Sequence, residues 1–223
     1  MKSKTIRTIA CIISLVAILS VTGIFTYLTD AESTYDKFTI GQIRIEIEEP
    51  TWDEASDLNE NGIPDYAEKL VPNGTIKKDP QIVNVGENSA YVYLKVKVPV
   101  QKVITAREDG TLQNSGVAKE TELFTYSINN KWDEIKSAKE QVKNSNGETE
   151  YNSYVYYYKK SLEANGDRTQ SLFDSVKFAN LISNQLDSNV YQIGLEAYAI
   201  QTDNLPEGIS IEEAYQIYLN QEG

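Results

Sequence analysis

The chain has 223 residues, enough for one domain with a proper core, and a formal charge of −12 from 21 basic and 33 acidic residues. That balance repels nucleic acid and anionic lipid head groups and attracts cations. The complete absence of histidine excludes Ser-His-Asp and Cys-His catalysis, His-ligated zinc and the HExxH metalloprotease helix together. Carboxylate-pair chemistry survives, but no two acids are singled out by their surroundings, so the chain reads as a non-enzyme.

At the N-terminus, "MKSKTIRTIACIISLVAILSVTGIF" places Lys2, Lys4 and Arg7 before an apolar run from Ile9 to Phe25. This is the layout of a secretory signal peptide, residues 1–27. An uncleaved anchor is the rival reading. The run is short for a bilayer span and is weakened by Ser14, Ser20, Thr22 and Gly23. Cleavage leaves 18 basic against 33 acidic residues, a formal charge of −15. The only cysteine, Cys11, lies in the removed part, so the mature protein forms no disulfide, and a bound metal could supply some of that stapling.

Residues 28–223 read as a single β-sandwich domain. "DKFTIGQIRIEIEEP" alternates Ile43, Ile45 and Ile47 against charged residues, the pattern of a half-buried strand. After a turn at 86–89, Val92, Leu94, Val96 and Val98 form one strand face, with Tyr91, Tyr93, Lys95 and Lys97 on the other. Residues 153–162 and 189–203 read as further strands. In the latter, Val190, Ile193, Leu195, Ala197 and Ala199 are the inward set, with a phase slip near Gly194. Turns at 107–110 and 163–167 punctuate them. Residues 131–144 fit either a weak helix or a strand start running into a charged loop. Ser210 and Glu213 stand at capping-box spacing before Ile211, Ala214, Tyr215, Tyr218 and Leu219, which predicts a short C-terminal helix. Of the 15 tyrosines, Tyr154, Tyr156, Tyr157 and Tyr158 sit together. A half-exposed strand face explains them better than a sugar-stacking platform. The expected architecture is all-β, an antiparallel sandwich with one short helix.

"DLNENGIPDYAE" fits D-x-[DN]-x-[DN]-G-x₅-E from Asp57 to Glu68 without a mismatch. In that register Asp57, Asn59 and Asn61 offer side-chain oxygens, Ile63 its carbonyl, Asp65 a further carboxylate and Glu68 a closing bidentate one. Such hard oxygen donors suit Ca²⁺, with an Asx-rich turn as the alternative. Pro64 has no N–H to give a partner loop, which argues against a paired EF-hand. The stretch resembles the unpaired D-x-[DN]-x-[DN]-G-I-P-D loops of secreted proteins, akin to thrombospondin type-3 repeats. The expected ion is structural, at extracellular affinity.

The stretch "GIFTYLTDAESTYDKFTIGQIRIEI" resembles the export region of the TasA and camelysin family of Gram-positive bacteria, with Gly23, Tyr27, Asp30, Phe38 and Gly41 in matching places. The likeness continues in "LVPNGTIKKDPQIVNVGENSAYVYLKVKVP", "YYYKKSLEANGDRTQSLFDSVKF" and "LEAYAIQTDNL". The resemblance implies processing by a signal peptidase of the SipW type near Tyr27–Leu28, a jelly-roll-like sandwich, and secretion to the extracellular matrix or cell surface. It further implies homopolymeric biofilm-matrix fibres, with possible minor matrix subunits, built by N-terminal donor-strand exchange. The donor residues would be Phe38, Ile40, Ile43, Ile45 and Ile47, adding to an open sheet edge. The segment could instead pair within its own subunit. The protease label of camelysin-type members does not carry over, because no zinc or nucleophile site is present. The loop at 57–68 is an insertion that the family pattern does not explain. A monomeric calcium-stabilised adhesion module is the alternative function.

Overall fold

The computed structural model describes residues 43–68, 70–182, 185–186, 191–203 and 205–222. The signal region 1–27, the donor residues Phe38 and Ile40, and Val190 lie outside the described residues. In chain order the elements are β1 (Ile45–Glu48), α1 (Pro50–Asp53), β2 (Thr75–Lys77), β3 (Gln81–Asn84), β4 (Ala90–Val103), β5 (Lys119–Glu122) and β6 (Phe124–Tyr126). There follow β7 (Trp132–Glu134), β8 (Glu140–Lys143), β9 (Thr149–Tyr158), β10 (Asp167–Arg168), β11 (Ser175–Phe178), β12 (Gly194–Gln201) and α2 (Ile211–Glu222). The fold is therefore all-β with one short C-terminal helix, as the alternation predicts.

The strands form three antiparallel sheets: β1-β3-β10, β2-β11-β6, and a larger one in the order β12-β4-β9-β7. Strand β5 pairs the end of β4, and β8 pairs the start of β9. Strand order departs from chain order because the chain crosses between sheets at its turns, as sandwiches require. Between β3 and β4 the bend at 86–88 carries the chain from one sheet to another. Asn84, fully buried there, donates from Nδ2 to the Asn88 carbonyl at 2.8 Å and accepts from the Gly86 N–H at 3.0 Å.

The alternation of β4 lands as read. Val92, Leu94, Val96 and Val98 are fully buried in the main core, with Leu123, Trp132, Tyr156, Leu172 and Phe173. The opposite face is buried too at Tyr93, which joins Val155, Ile200, Ala214 and Tyr215 beneath α2. Its hydroxyl donates to the Ile211 carbonyl at 2.7 Å, tying sheet to helix. The predicted capping box forms: the Glu213 N–H donates to Ser210 Oγ at 3.1 Å, and the Ser210 N–H to Glu213 Oε2 at 3.0 Å. Leu219 departs from its expected face and is exposed, while Ile217 packs inward. Beyond the helix Lys95 pairs with Glu140 at 3.5 Å and Lys97 with Glu196.

Two further readings are refined. Residues 131–144 form no α-helix: β7, a single 3-10 turn at Lys136–Ala138 and β8 run along one side of β9. Trp132 and Ile135 are buried through separate strand and turn contacts rather than as one helical stripe. From Gly194–Lys97 to Gln201–Ala90 β12 pairs with β4 without interruption, while the slip expected near Gly194 involves Val190, which lies outside the described residues. A Cβ at Gly194 would lie 3.2 Å from Lys97 Cβ, so the glycine serves a close approach.

The tyrosine run is absorbed by packing. Tyr156 and Tyr158 are buried, Tyr126 and Tyr156 share a hydroxyl contact at 3.0 Å, and Tyr154 donates to Glu122. Burial pushes the Tyr156 phenol up to about 12. No helix among the described residues is long and apolar enough to cross a membrane.

Truncating Leu94 to alanine should cost about 2–5 kcal/mol in urea unfolding, the range for a fully buried leucine. Tyr93→Phe should cost about 1 kcal/mol, because it removes only the hydroxyl bond to the helix.

A candidate cation loop beside an apolar cleft

Leaving β1, the chain makes one helical turn, α1, with Pro50 at its first position. The Asp53 carboxylate accepts from the Glu49 N–H at 2.9 Å. This turn is fastened to the β2–β3 connection. Lys78 Nζ donates to Glu49 Oε2 at 2.6 Å, with side-chain exposures of 12% and 15%, and lies 4.3 Å from the centre of the Trp52 ring. Asp79 accepts from the Thr51 N–H at 3.0 Å and from its hydroxyl at 2.7 Å. Tyr66 meets Trp52 edge-on and donates to the Lys77 carbonyl at 2.9 Å. None of these residues stands out in the sequence, because the partners are up to 29 positions apart and share no motif.

Burial raises the Glu49 carboxyl, with Lys78 pulling it back and Asp53 and Asp79 adding to the rise. An acid raised in the native state stabilises the fold most when protonated. Stability from this group therefore falls as pH rises through the ordinary carboxylate value toward the raised native one, then levels off.

The loop carried by this clasp brings most of its expected ligands together. Asp57 accepts from the N–H groups of Asn61 at 3.2 Å and Gly62 at 2.8 Å. Asn59 accepts from the Asn61 N–H at 3.2 Å, and Asn61 from the Ile63 N–H at 2.8 Å. Both amides donate from Nδ2 to Glu68 Oε1, Asn61 at 3.0 Å. Gly62 has φ +81°, the sharp turn that the motif reserves for glycine. Asp57, Asn59, Asn61 and Glu68 thus form one connected ring. Asp65 stands apart: its oxygens accept from Ser56 Oγ at 2.8 Å and the Leu58 N–H at 3.1 Å, closing the base of the loop. Ile63 packs its side chain against the core and Pro64 is buried, so the loop is anchored on its apolar side.

This donor set fits a hard cation in kind, since every side chain offers oxygen. Among the described residues no three His, Cys, Asp or Glu side chains gather as a metal-holding group. A cation here would draw on the Asn59 and Asn61 amide oxygens. Their NH₂ groups now face Glu68, and a half-turn of each amide would present oxygen instead. That half-turn costs the two backbone N–H bonds the oxygens accept, which weakens any affinity. Among the described residues no helices flank the loop beyond the single turn of α1, unlike an EF-hand.

Behind the loop opens a cleft of about 730 Å³. Ile63, Ala67 and Glu68 form one lip. Ile76, Phe124, Val176 and Phe178 from β2, β6 and β11 form the floor, and Tyr191 and Ile193, just before β12, the other lip. Of the expected donor residues, Ile45 and Ile47 pack against the main core, and β1 pairs antiparallel with β3 of the same chain from Ile45–Asn84 to Glu48–Gln81. Ile43 is half-buried ahead of that strand.

No protein-family model, curated protein or solved structure matches this chain.

Lys78→Met should destabilise the protein by about 1–3 kcal/mol at pH 7, between an exposed and a fully buried pair. The deficit relative to wild type should shrink in acid, below the ordinary carboxylate value, where Glu49 is protonated in both proteins. Chemical denaturation of both proteins at the two pH values reads this directly, and an unchanged deficit would show that Glu49 is not the responsible group.

Proposed function

We propose that the chain is a secreted structural subunit of extracellular fibres of a Gram-positive bacterium, assembled by N-terminal donor-strand exchange and stapled by Ca²⁺ at the 57–68 loop. The observation that carries this reading is the way the chain enters its fold. Strand β1 lies at the edge of its sheet, paired on one side only by β3 among the described residues. Directly upstream runs the segment with Phe38 and Ile40, themselves two positions apart but one residue out of step with Ile43, Ile45 and Ile47. A segment that leaves a domain from a sheet edge is placed to add to the edge of another copy. The acidic composition and the oxygen-rich loop agree with a calcium-containing exterior, and the reading assigns the chain no catalysis. Pairing of β1 at home favours a second reading, a monomeric calcium-stabilised surface module, for which the N-terminal segment would be irrelevant to assembly.

Electron microscopy of the mature protein with and without residues 28–41 separates the two. Fibres that vanish on deletion, with a folded monomer left behind, are expected; monomers under every salt, pH and calcium condition would sink the fibre reading. Calorimetric titration should show heat with calcium in the micromolar-to-millimolar range, abolished by Asp57→Ala. Absence of heat at millimolar calcium would end the claim for the ion.

A further inference from the structure

We infer that a groove on the outer face of the large sheet, beside α2, binds a small alkylammonium ion, with its stem on apolar side chains and its head between Glu140, Glu212 and Tyr215. The site shares no lining residue with the cleft behind the acidic loop and does not depend on how the chain assembles. Helix α2 packs over Tyr93 and Ile200 but leaves a groove of about 610 Å³ between itself and the 136–138 turn. Val155 and Tyr198, from β9 and β12, form its floor. Glu212, Tyr215, Gln216 and Leu219 recur at i, i+3, i+4 and i+7, so one helix face makes its wall. Ala138 and Glu140 stand on the opposite side.

Tyr215 marks the groove as more than a gap. It is only 4% exposed, yet among the described residues its hydroxyl has no hydrogen-bond partner. Its neighbour Tyr93, equally enclosed, spends its hydroxyl on the Ile211 carbonyl at 2.7 Å. The contacts of Tyr215 are those of its ring, with centres 4.9 Å from Tyr93 and 6.1 Å from Tyr218. A phenol so enclosed is costly to leave without a partner. Burial raises that phenol, and the Glu140 carboxylate adds to the rise, so an acid lies near the open hydroxyl.

Charge selects the ligand. Glu213 is held by the Ser210 cap, Glu140 meets Lys95 at 3.5 Å, and Glu212 has no ion pair among the described residues. Three carboxylates against one lysine at the groove repel phosphates and carboxylates and leave acceptors in excess. An ammonium donates three hydrogen bonds and accepts none, which suits two carboxylates and a phenol oxygen. Tyr198 and Tyr218, with ring centres 5.4 Å apart, add aromatic surface that attracts the same charge. The chain makes this pairing within itself elsewhere, where Lys139 Nζ lies 4.7 Å from the centre of the Tyr154 ring. Val155, Ala138 and Leu219, the last 44% exposed, give a short aliphatic stem its apolar bed.

Saturation-transfer NMR titrations on the mature protein compare three probes of one length: pentylammonium, 1-pentanol and pentanoate. Pentylammonium should bind about tenfold tighter than pentanol, the worth of one charge-assisted hydrogen bond, and pentanoate should not bind. Tyr215→Phe should weaken the ammonium about tenfold while leaving the urea midpoint unchanged, because the hydroxyl holds nothing in the fold. Glu212→Gln should weaken it by about two- to fivefold, since an exposed charge contributes less. Asp57→Ala, in the acidic loop, should leave it unchanged. Pentanol binding as tightly as the ammonium would overturn the inference, reducing the groove to an apolar gap. Ammonium binding that survives both groove variants, or that is lost in Asp57→Ala, would overturn it too by placing the cation elsewhere on the acidic surface.

Discussion

The constraint from which the rest of the architecture follows is that β4 is covered on both faces. Its apolar face alone, Val92 to Val98, would specify an ordinary half-buried strand with a wet reverse side. The reverse side instead carries Tyr93 at full burial, and a fully buried phenol requires both an apolar lid and a partner for its hydroxyl. Helix α2 provides both, through Ala214 and Tyr215 above the ring and the Ile211 carbonyl for the hydroxyl. Where the lid ends, lysines take over on the same face and find acids on neighbouring strands, Lys95 with Glu140 and Lys97 with Glu196. A single strand thus sets the position of the main core, the helix and the polar rim.

The second organising contact is the Lys78–Glu49 pair. It joins the segment after β1 to the β2–β3 connection and is shielded by Trp52. Burying two charges is expensive, and a neighbouring acid pair in Asp53 and Asp79 makes the Glu49 carboxylate still harder to ionise. Apolar residues could hold the same position. What the ion pair adds is directional fastening: one donor, one acceptor and a ring over the cation fix the angle at which the acidic loop leaves the sandwich. The loop hydrogen bonds that follow, from Asp57 through Glu68, are local and depend on that angle being set.

Legibility in the sequence followed the range of the interaction. Period-two alternation located the buried face of β4, and the capping box located α2, because both signals lie within a few residues. The acidic loop was legible for the same reason, and four of its six expected ligands sit in one ring with Asp65 at its base. Residues 131–144 stayed open between helix and strand because Trp132, Ile135 and Val142 fall near helical intervals while their partners on β9 are distant in sequence, and the strand start is what forms at β7. At Gly194 a glycine in a strand marks either a bulge or a close approach, and the partner Lys97 reveals the close approach. The clasp around Glu49 was invisible, being made wholly of long-range contacts.

The loop and the cleft share residues, and that shared wall has a thermodynamic consequence. Glu68 belongs to the hydrogen-bonded ring and also to the lip of the cleft, and Ile63 joins the same turn to the core. A cation that drew Glu68 and the two asparagine amides inward would reshape that lip. An occupant of the cleft would in turn fix the lip from the other side. If both occupants prefer the same arrangement of residues 62–68, each must raise the affinity for the other by the same factor, since coupling between two sites is reciprocal. An ion at the loop would then act on that occupant without touching it.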